Sequence, residues 1–239
     1  VTAPSNQSAA LRPGDIPRRS PDSLHPVKPK DSASLLVLRQ GSACLEVLMG
    51  RRGRKAVFCN AYVFAGGKVD RVDRLAQPAS DLLPDLGQRL SSDPHKARTF
   101  AMAAVRETFE ETGLMLGAPG DVGETGSESW DEIRALGLAP DLGKLAYVGH
   151  AITPASRAVR FNARFFCAWE QDMTGELGGS GELAELAYIP IEDALKLQMV
   201  DVTLFMLEEM LRREDNGFAT PTSYPFFGYR KDRRYHRYK

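Results

Sequence analysis

Arg106-Glu107-Thr108-Phe109-Glu110-Glu111-Thr112-Gly113-Leu114 is the most informative run in this 239-residue chain. The residues from Arg98 to Thr112 read as a helix, and Gly113 is its stop, because glycine accepts the left-handed conformation that closes a helix. At about 100° per residue, Glu107, Glu110 and Glu111 stand at i, i+3 and i+4 and share one face. Ala101, Val105, Thr108 and Phe109 fall on the other side and can face a core. Ala103 and Ala104 lie one turn earlier on the acidic side, where their small size leaves room above the acids. Three carboxylates on one face repel one another, and acids near a helix C-terminus oppose its dipole. Something should compensate. Hard oxygen donors suit Mg²⁺ or Mn²⁺; the bland alternative is a solvated acidic face steadied by Arg106 and nearby cations.

Upstream, Tyr62-Val63-Phe64 is a short apolar run that ends at Gly66-Gly67. Before it, residues 34–39 and 44–49 read as two strands of a hairpin around Gly41-Ser42. Residues 74–97 carry Pro78, Pro84 and Pro94 and read as an irregular insertion with one short helix at most. Beyond the acidic run, residues 117–129 read as a Gly-, Ser- and Glu-rich loop. Strands are expected at 145–150, 161–169 and 186–189. Helices follow from Pro190 and over 201–213, the latter with Val202, Phe205, Met206, Met210 and Leu211 as its core side. Strands interleave with helices, so the class is α/β or α+β.

The context changes the weight of the acidic run. Here the sequence resembles the Nudix hydrolase family, whose signature is Gly, five residues, Glu, seven residues, then Arg-Glu-apolar-any-Glu-Glu-any-Gly-apolar. Gly67 opens the motif, and Asp73 stands in its Glu slot. Arg106, Glu107, Glu110, Glu111 and Gly113 fill the fixed positions of the second half, and Thr108 occupies the usually apolar one. Thirty-two residues separate Asp73 from Arg106, so the motif is split by the insertion. Such a split resembles the branch that hydrolyses coenzyme A and acyl-coenzyme A. The later Ile152-Thr153-Pro154 and Arg160-Phe161-Asn162-Ala163-Arg164-Phe165-Phe166 also resemble that branch, whereas Ala65 stands where its proline would be.

The resemblance implies an α-β-α sandwich with a mixed sheet over residues 33–215. It implies hydrolysis of a diphosphate linkage in a nucleoside diphosphate derivative, with Mg²⁺ or Mn²⁺ held by Glu107, Glu110, Glu111 and the Gly67 carbonyl. Arg106 would brace the loop through Asp73. The general base is a helix glutamate or one of Glu182 and Glu185, which follow the Gly178-Gly179-Ser180-Gly181 loop; its glycines would let it move over the site. Arg157, Arg160 and Arg164 are candidate phosphate contacts, because guanidinium forks match phosphate geometry, and ordinary strand-edge arginines are the alternative. Coenzyme A or an acyl-coenzyme A is the first expected substrate; ADP-ribose or a dinucleotide is the second. An RNA 5′-end pyrophosphatase and a nucleotide-sensing module without turnover are the other readings. The insertion is expected to sit beside the site and shape substrate choice, with Leu82, Leu83, Leu86 and Leu90 as one apolar side of a short helix suited to a pantetheine or acyl arm; a surface excursion without ligand contact is the alternative.

The remaining features bound these readings. Lysine plus arginine number 31 and aspartate plus glutamate 31, so the formal net charge is zero. That weighs against nucleic acid as a partner and leaves a small-molecule nucleotide. The tail at 216–239 mixes cations with aromatics and suits either base stacking or docking on its own domain. No stretch approaches the length of an apolar membrane span. Three cysteines, at 44, 59 and 167, form no CxxC pair and fit a reducing, cytoplasmic setting. Prolines punctuate residues 1–32, which read as a leader or as an extended arm; an organelle transit peptide is the weaker alternative. A homodimer is the assembly the family resemblance suggests, with that arm swapped across it.

Overall fold

The computed structural model describes residues 26–53, 60–230 and 233–239. His25, Cys59 and most of the proline-rich arm lie outside the described residues. The expected hairpin forms. Strand β1 (Lys30–Gln40) and strand β2 (Leu45–Arg52) pair antiparallel, with Leu38 opposite Val47. Along β1, Ala33, Leu35 and Val37 point to one buried face and Leu36 and Leu38 to the other. Both faces are covered, which explains why the strand reads as an apolar run rather than an alternation.

The rest of the sheet is built from β3 (Tyr62–Val63), β4 (Ala65–Lys68), β7 (Ala146–Ile152), β8 (Phe161–Trp169), β9 (Leu183–Pro190), β10 (Pro225–Arg230) and β11 (Arg233–Tyr238). A further pair, β5 (Gly117–Pro119) and β6 (Leu138–Pro140), stands apart. Among the described residues the large sheet has nine strands in the order β11-β10-β7-β8-β1-β2-β3, with β4 on β1 and β9 on β2. It is mixed: β1 runs parallel to β8 and β10 parallel to β7, and the other pairs are antiparallel. One face carries α1 (Pro84–Leu90), α2 (Pro94–Thr112) and α3 (Glu128–Ala135); the other carries α4 (Ile191–Ala194) and α5 (Asp201–Asp215). The expected three-layer α-β-α sandwich with a mixed sheet is present. No helix of the described residues is long and apolar enough to cross a membrane.

Helix α2 starts four residues before its expected onset. Pro94 fits the first helical position, where a missing N–H costs nothing, and the Asp93 carboxylate accepts from His95 N at 3.0 Å. It ends at Gly113 with φ 75°. Ala103 and Ala104 are fully buried in the core, not open beside the acids as expected.

The glycine loop has a different task from the expected one. Gly178 N donates to Thr112 O at 2.9 Å and Ser180 N to Glu110 O at 2.8 Å. These bonds satisfy carbonyls that the last turn of a helix leaves without partners. A β-carbon at Gly113 would meet Glu176 O at 2.5 Å, and one at Gly179 would collide with Glu111 O. The glycines permit close backbone docking of the loop on α2.

The C-terminal segment is part of the sheet. Strand β10 lies along β7 and pairs with β11, and the aromatics of β10 pack on the domain: Phe226 lies edge-on to His150 at 4.8 Å and Phe205 lies 5.0 Å from Phe227. Buried Arg213 of α5 donates to the carbonyls of Tyr147 and Val148 where β7 bulges, and pairs with Glu209 at 2.9 Å.

Candidate active site

Asp73 is the centre that joins the two halves of the motif. It sits fully buried in a short 3₁₀ turn over Val72–Arg74. Arg106 approaches it as a fork, Nε to Oδ1 at 2.6 Å and Nη2 to Oδ2 at 3.1 Å. Asp70 N donates to Oδ2 at 2.7 Å, and the indole N–H of Trp130 donates to Oδ1 at 3.2 Å. Each carboxylate oxygen therefore has two donors, as a buried carboxylate requires. The pairing expected across the insertion is present in these distances. Trp130 was not legible, because it begins just past a segment that reads as loop.

The remaining face of Arg106 holds the helix acids. Nη1 donates to Glu107 Oε1 at 3.0 Å and to both oxygens of Glu110 at 3.0 and 3.1 Å, while Nη2 also donates to Lys68 O at 3.1 Å. Burial works against the guanidinium charge, but Asp73, Glu107 and Glu110 outweigh it and push the Arg106 pKa up.

The Gly66–Gly67 pair fits the acids against β4. Gly66 N donates to Glu111 Oε2 at 2.8 Å. Gly66 has φ 154°, and a β-carbon there would strike the Ala33 carbonyl and Ser34. A β-carbon at Gly67 would collide with the Glu107 carboxylate. Only glycine leaves space at either position.

Glu107 and Glu111 open into one cavity of about 400 Å³. Burial is the main cause that raises Glu107 to about 7, with Glu110 and Asp73 adding to it against Arg106. Burial likewise raises Glu111 to about 8, with Glu107 and Glu182 adding and the Gly66 N–H opposing. Glu182 lines the same cavity, and Arg52 Nη2 lies 3.4 Å from its Oε1. Arg52 Nε is buried with no hydrogen-bond partner among the described residues. Sequence reading missed Arg52; its only signal was the Arg51-Arg52 pair at the end of an apolar strand.

Other expected site residues lie elsewhere. Glu185 is engaged by Arg51 at 2.5 Å and Tyr62 OH at 2.9 Å, bonds that hold its carboxyl below the usual range, and it does not line the cavity. Arg160 precedes β8 and donates to the carbonyls of Thr153 and Val27. Arg164 bonds Asn162 Oδ1 at 3.0 Å and lies over the Phe100 ring. Phe161, Ala163 and Phe165 of the same strand line the cavity. Strand alternation therefore turns Arg164 to the opposite face. Arg157 is buried and does not line the cavity either. Leu86 and Leu90 of the insertion are buried in the core around α2, Leu83 is exposed, and no residue of 74–97 lines the cavity.

The donor set is all oxygen, buried and short of positive charge, which suits a hard divalent cation. Among the described residues no three His, Cys, Asp or Glu side chains converge closely enough to hold a metal. Glu110 is the acid turned aside, held on Arg106.

No protein-family model and no curated protein matches the chain. Among solved structures, a Nudix hydrolase from Alicyclobacillus acidocaldarius is 27% identical, with 76% of this chain and 90% of that one covered and a TM-score of 0.59. A MutT protein from Bacillus halodurans is 15% identical over 87% of this chain and 97% of its own, with a TM-score of 0.47. The Nudix domain of Shewanella oneidensis NrtR, solved with ADP-ribose, is 11% identical over 79% and 90%, with a TM-score of 0.45. The first of these likenesses carries the comparison. The chain has the Nudix fold, and the likeness supports an enzyme of the Nudix hydrolase kind.

Proposed function

We propose that the chain hydrolyses the diphosphate linkage of a nucleoside diphosphate derivative, with Mg²⁺ or Mn²⁺ bound at Glu107, Glu111 and the Gly67 carbonyl, and with Glu110 turning from Arg106 to complete the set. The observation that carries this reading is the pair of carboxylates, half-buried Glu107 and buried Glu111, that line one cavity beside Gly66–Gly67. When bound, the divalent ion supplies Lewis acidity toward the diphosphate and lowers the pKa of a water. Arg106 positions the acids from behind and does not reach substrate. Arg52, which lines the same cavity beside Glu182, would take a phosphate oxygen. Glu182 is the general-base candidate outside the helix, since it shares the cavity with Glu111, while Glu185 is committed to Arg51 and Tyr62.

Coenzyme A or an acyl-coenzyme A is the substrate the split motif suggests, with ADP-ribose or a dinucleotide as the alternative. The insertion leucines lend no support to an acyl arm, because they pack into the core or face outward. A panel of coenzyme A, ADP-ribose, NADH, dNTPs and 5′-triphosphate RNA with Mg²⁺ or Mn²⁺, with products identified by mass, tests the reading. Cleavage between the two phosphorus atoms of at least one member, abolished by EDTA, is expected. No turnover on the panel, or full turnover in EDTA, overturns it.

A further inference from the structure

The cavity that begins at Glu107 and Glu111 continues across the sheet to the start of α5 and to β10, where Asp201, Thr203 and Tyr229 close it. Much of the remaining lining is apolar and aromatic, with Phe64, Phe161, Phe165 and Phe227, alongside the polar Ser32, Ser34, Lys68 and Thr153. A carboxylate at the end of such a chamber is costly unless it is held. Asp201 is held at one oxygen: Oδ2 accepts from Tyr229 OH and pairs with Arg234 Nε at 2.9 Å. Burial, then the bond to Asp201, pushes the Tyr229 pKa up, so its proton stays on the phenol as donor. Oδ1 takes neither of these bonds, and Asp201 lines the cavity.

The chemistry at this end selects among the moieties a diphosphate can carry. A second phosphate would meet a carboxylate. An alkyl or acyl arm suits the aromatic walls but would desolvate Oδ1 and give it no donor. A flat ring with an exocyclic N–H₂ suits both, since its faces contact the phenylalanines and its amine donates to Oδ1. We infer that the distal chamber receives an amino-bearing nucleobase, with Asp201 as the residue that selects it and Tyr229 and Arg234 positioning its carboxylate. The orientation, with phosphates toward Glu107 and Glu111, rests on the proposed diphosphatase reading; the base preference does not.

Calorimetric titration of the full chain with AMP against IMP and CMP against UMP, in Mg²⁺, tests this. Each pair exchanges the exocyclic amino donor for a carbonyl and moves the donor to the adjacent ring N–H, so the ratio reads the exocyclic position, and none of the four has a diphosphate to hydrolyse. At least one amino member is expected to bind about tenfold tighter than its oxo partner, as a site built around a hydrogen bond discriminates. Asp201→Asn, which can donate to the carbonyl, should flatten or reverse that ratio. Tyr229→Phe, which loosens the carboxylate while keeping the ring, should reduce it, and thermal melting shows whether either variant is folded. Equal binding within both pairs, no binding of any of the four, or an unchanged ratio in folded variants overturns the inference. Turnover on the substrate panel without base preference sinks this inference alone. Base preference without turnover sinks the diphosphatase reading alone.

Discussion

Arg106 and Arg213 are both buried arginines with carboxylate partners, and they differ in charge balance. Arg213 faces one carboxylate, Glu209, and two backbone carbonyls at the β7 bulge. Glu209 is shared with Arg212 as well, so no carboxylate there lacks a cation and the set is complete. Arg106 faces Asp73, Glu107 and Glu110, with Glu111 one turn on. One cation there stands against an excess of carboxylates, and burial lifts Glu107 to about 7 and Glu111 to about 8. The first arrangement pins a helix to a strand. The second is unfinished without a positive partner, which is the physical mark of a site rather than a brace.

Removing each arginine breaks the comparison most severely. Arg106→Ala leaves Asp73 buried without its main partner and is expected to cost about 3–5 kcal/mol, as does loss of one member of a buried pair. Arg213→Ala should cost a similar amount for the same reason. The two should part in turnover: at a temperature where both remain folded, Arg213→Ala retains kcat and Arg106→Ala loses it. Equilibrium denaturation with kcat on the best panel substrate measures both. Equal losses of kcat would show that the Arg106 cluster is only structural.

The next effect reads the acids themselves. Glu111→Gln and Glu107→Gln should each lower kcat by two or more orders of magnitude, about 3 kcal/mol of barrier. Stability should hold or rise, because each change removes charge from an over-acidic cluster. Glu209→Gln should do the reverse, losing stability and keeping kcat. Activity within tenfold of wild type in the Glu107/Glu111 double variant would exclude them as the metal-binding acids.

Much of this was legible because it is local. The run from Arg106 to Gly113 carries its spacing in the chain, and Gly66-Gly67 announces close backbone approach. The strands that were read are apolar runs of the right length. What was missed depends on distant partners. Helix α3 buries only Trp130 and Ile133, too few for a helical period to stand out after a Gly- and Ser-rich loop. The hairpin of β10 and β11 reads as a cationic tail because nothing in its own residues reveals the open edge of β7. The spacing of Arg160 and Arg164 puts both on one face of a strand, but β8 begins at Phe161, and its other face lines the cavity. Arg52 and Asp201 enter the site from β2 and α5, far from the motif.

pH sharpens the same contrast at smaller amplitude. A carboxylate whose folded pKa is raised binds more protons folded than unfolded. Its stabilising share is therefore full below the ordinary carboxylate range and is lost as pH rises through about 7 for Glu107 and about 8 for Glu111. The metal-free protein should lose stability from Glu107 and Glu111 over that window. A divalent ion competes with those protons, so added Mg²⁺ or Mn²⁺ should raise Tm by several degrees at pH 8 and by little at pH 5. Scanning calorimetry at both values decides it. A metal shift independent of pH would place the ion away from Glu107 and Glu111.

The smallest expected effect tests how much of the Arg106 cluster is held from outside the motif. Trp130 donates its indole N–H to Asp73 Oδ1 at 3.2 Å and is fully buried. Trp130→Phe removes that donor while keeping an aromatic body. A hydrogen bond to a charged group is worth about 1.5–3 kcal/mol; Asp73 keeps the Arg106 fork and the Asp70 N–H, so the cost should sit near the lower figure, plus a modest term for lost volume. Because Arg106 still holds Glu107 and Glu110, kcat should fall by less than tenfold and the requirement for a divalent ion should not change. Trp130→Ala, which also opens a cavity, should lose clearly more stability. Were Trp130→Phe to abolish turnover in a folded protein, the indole would be orienting Asp73 and, through Arg106, the acids; the brace and the site would then be one unit rather than two layers.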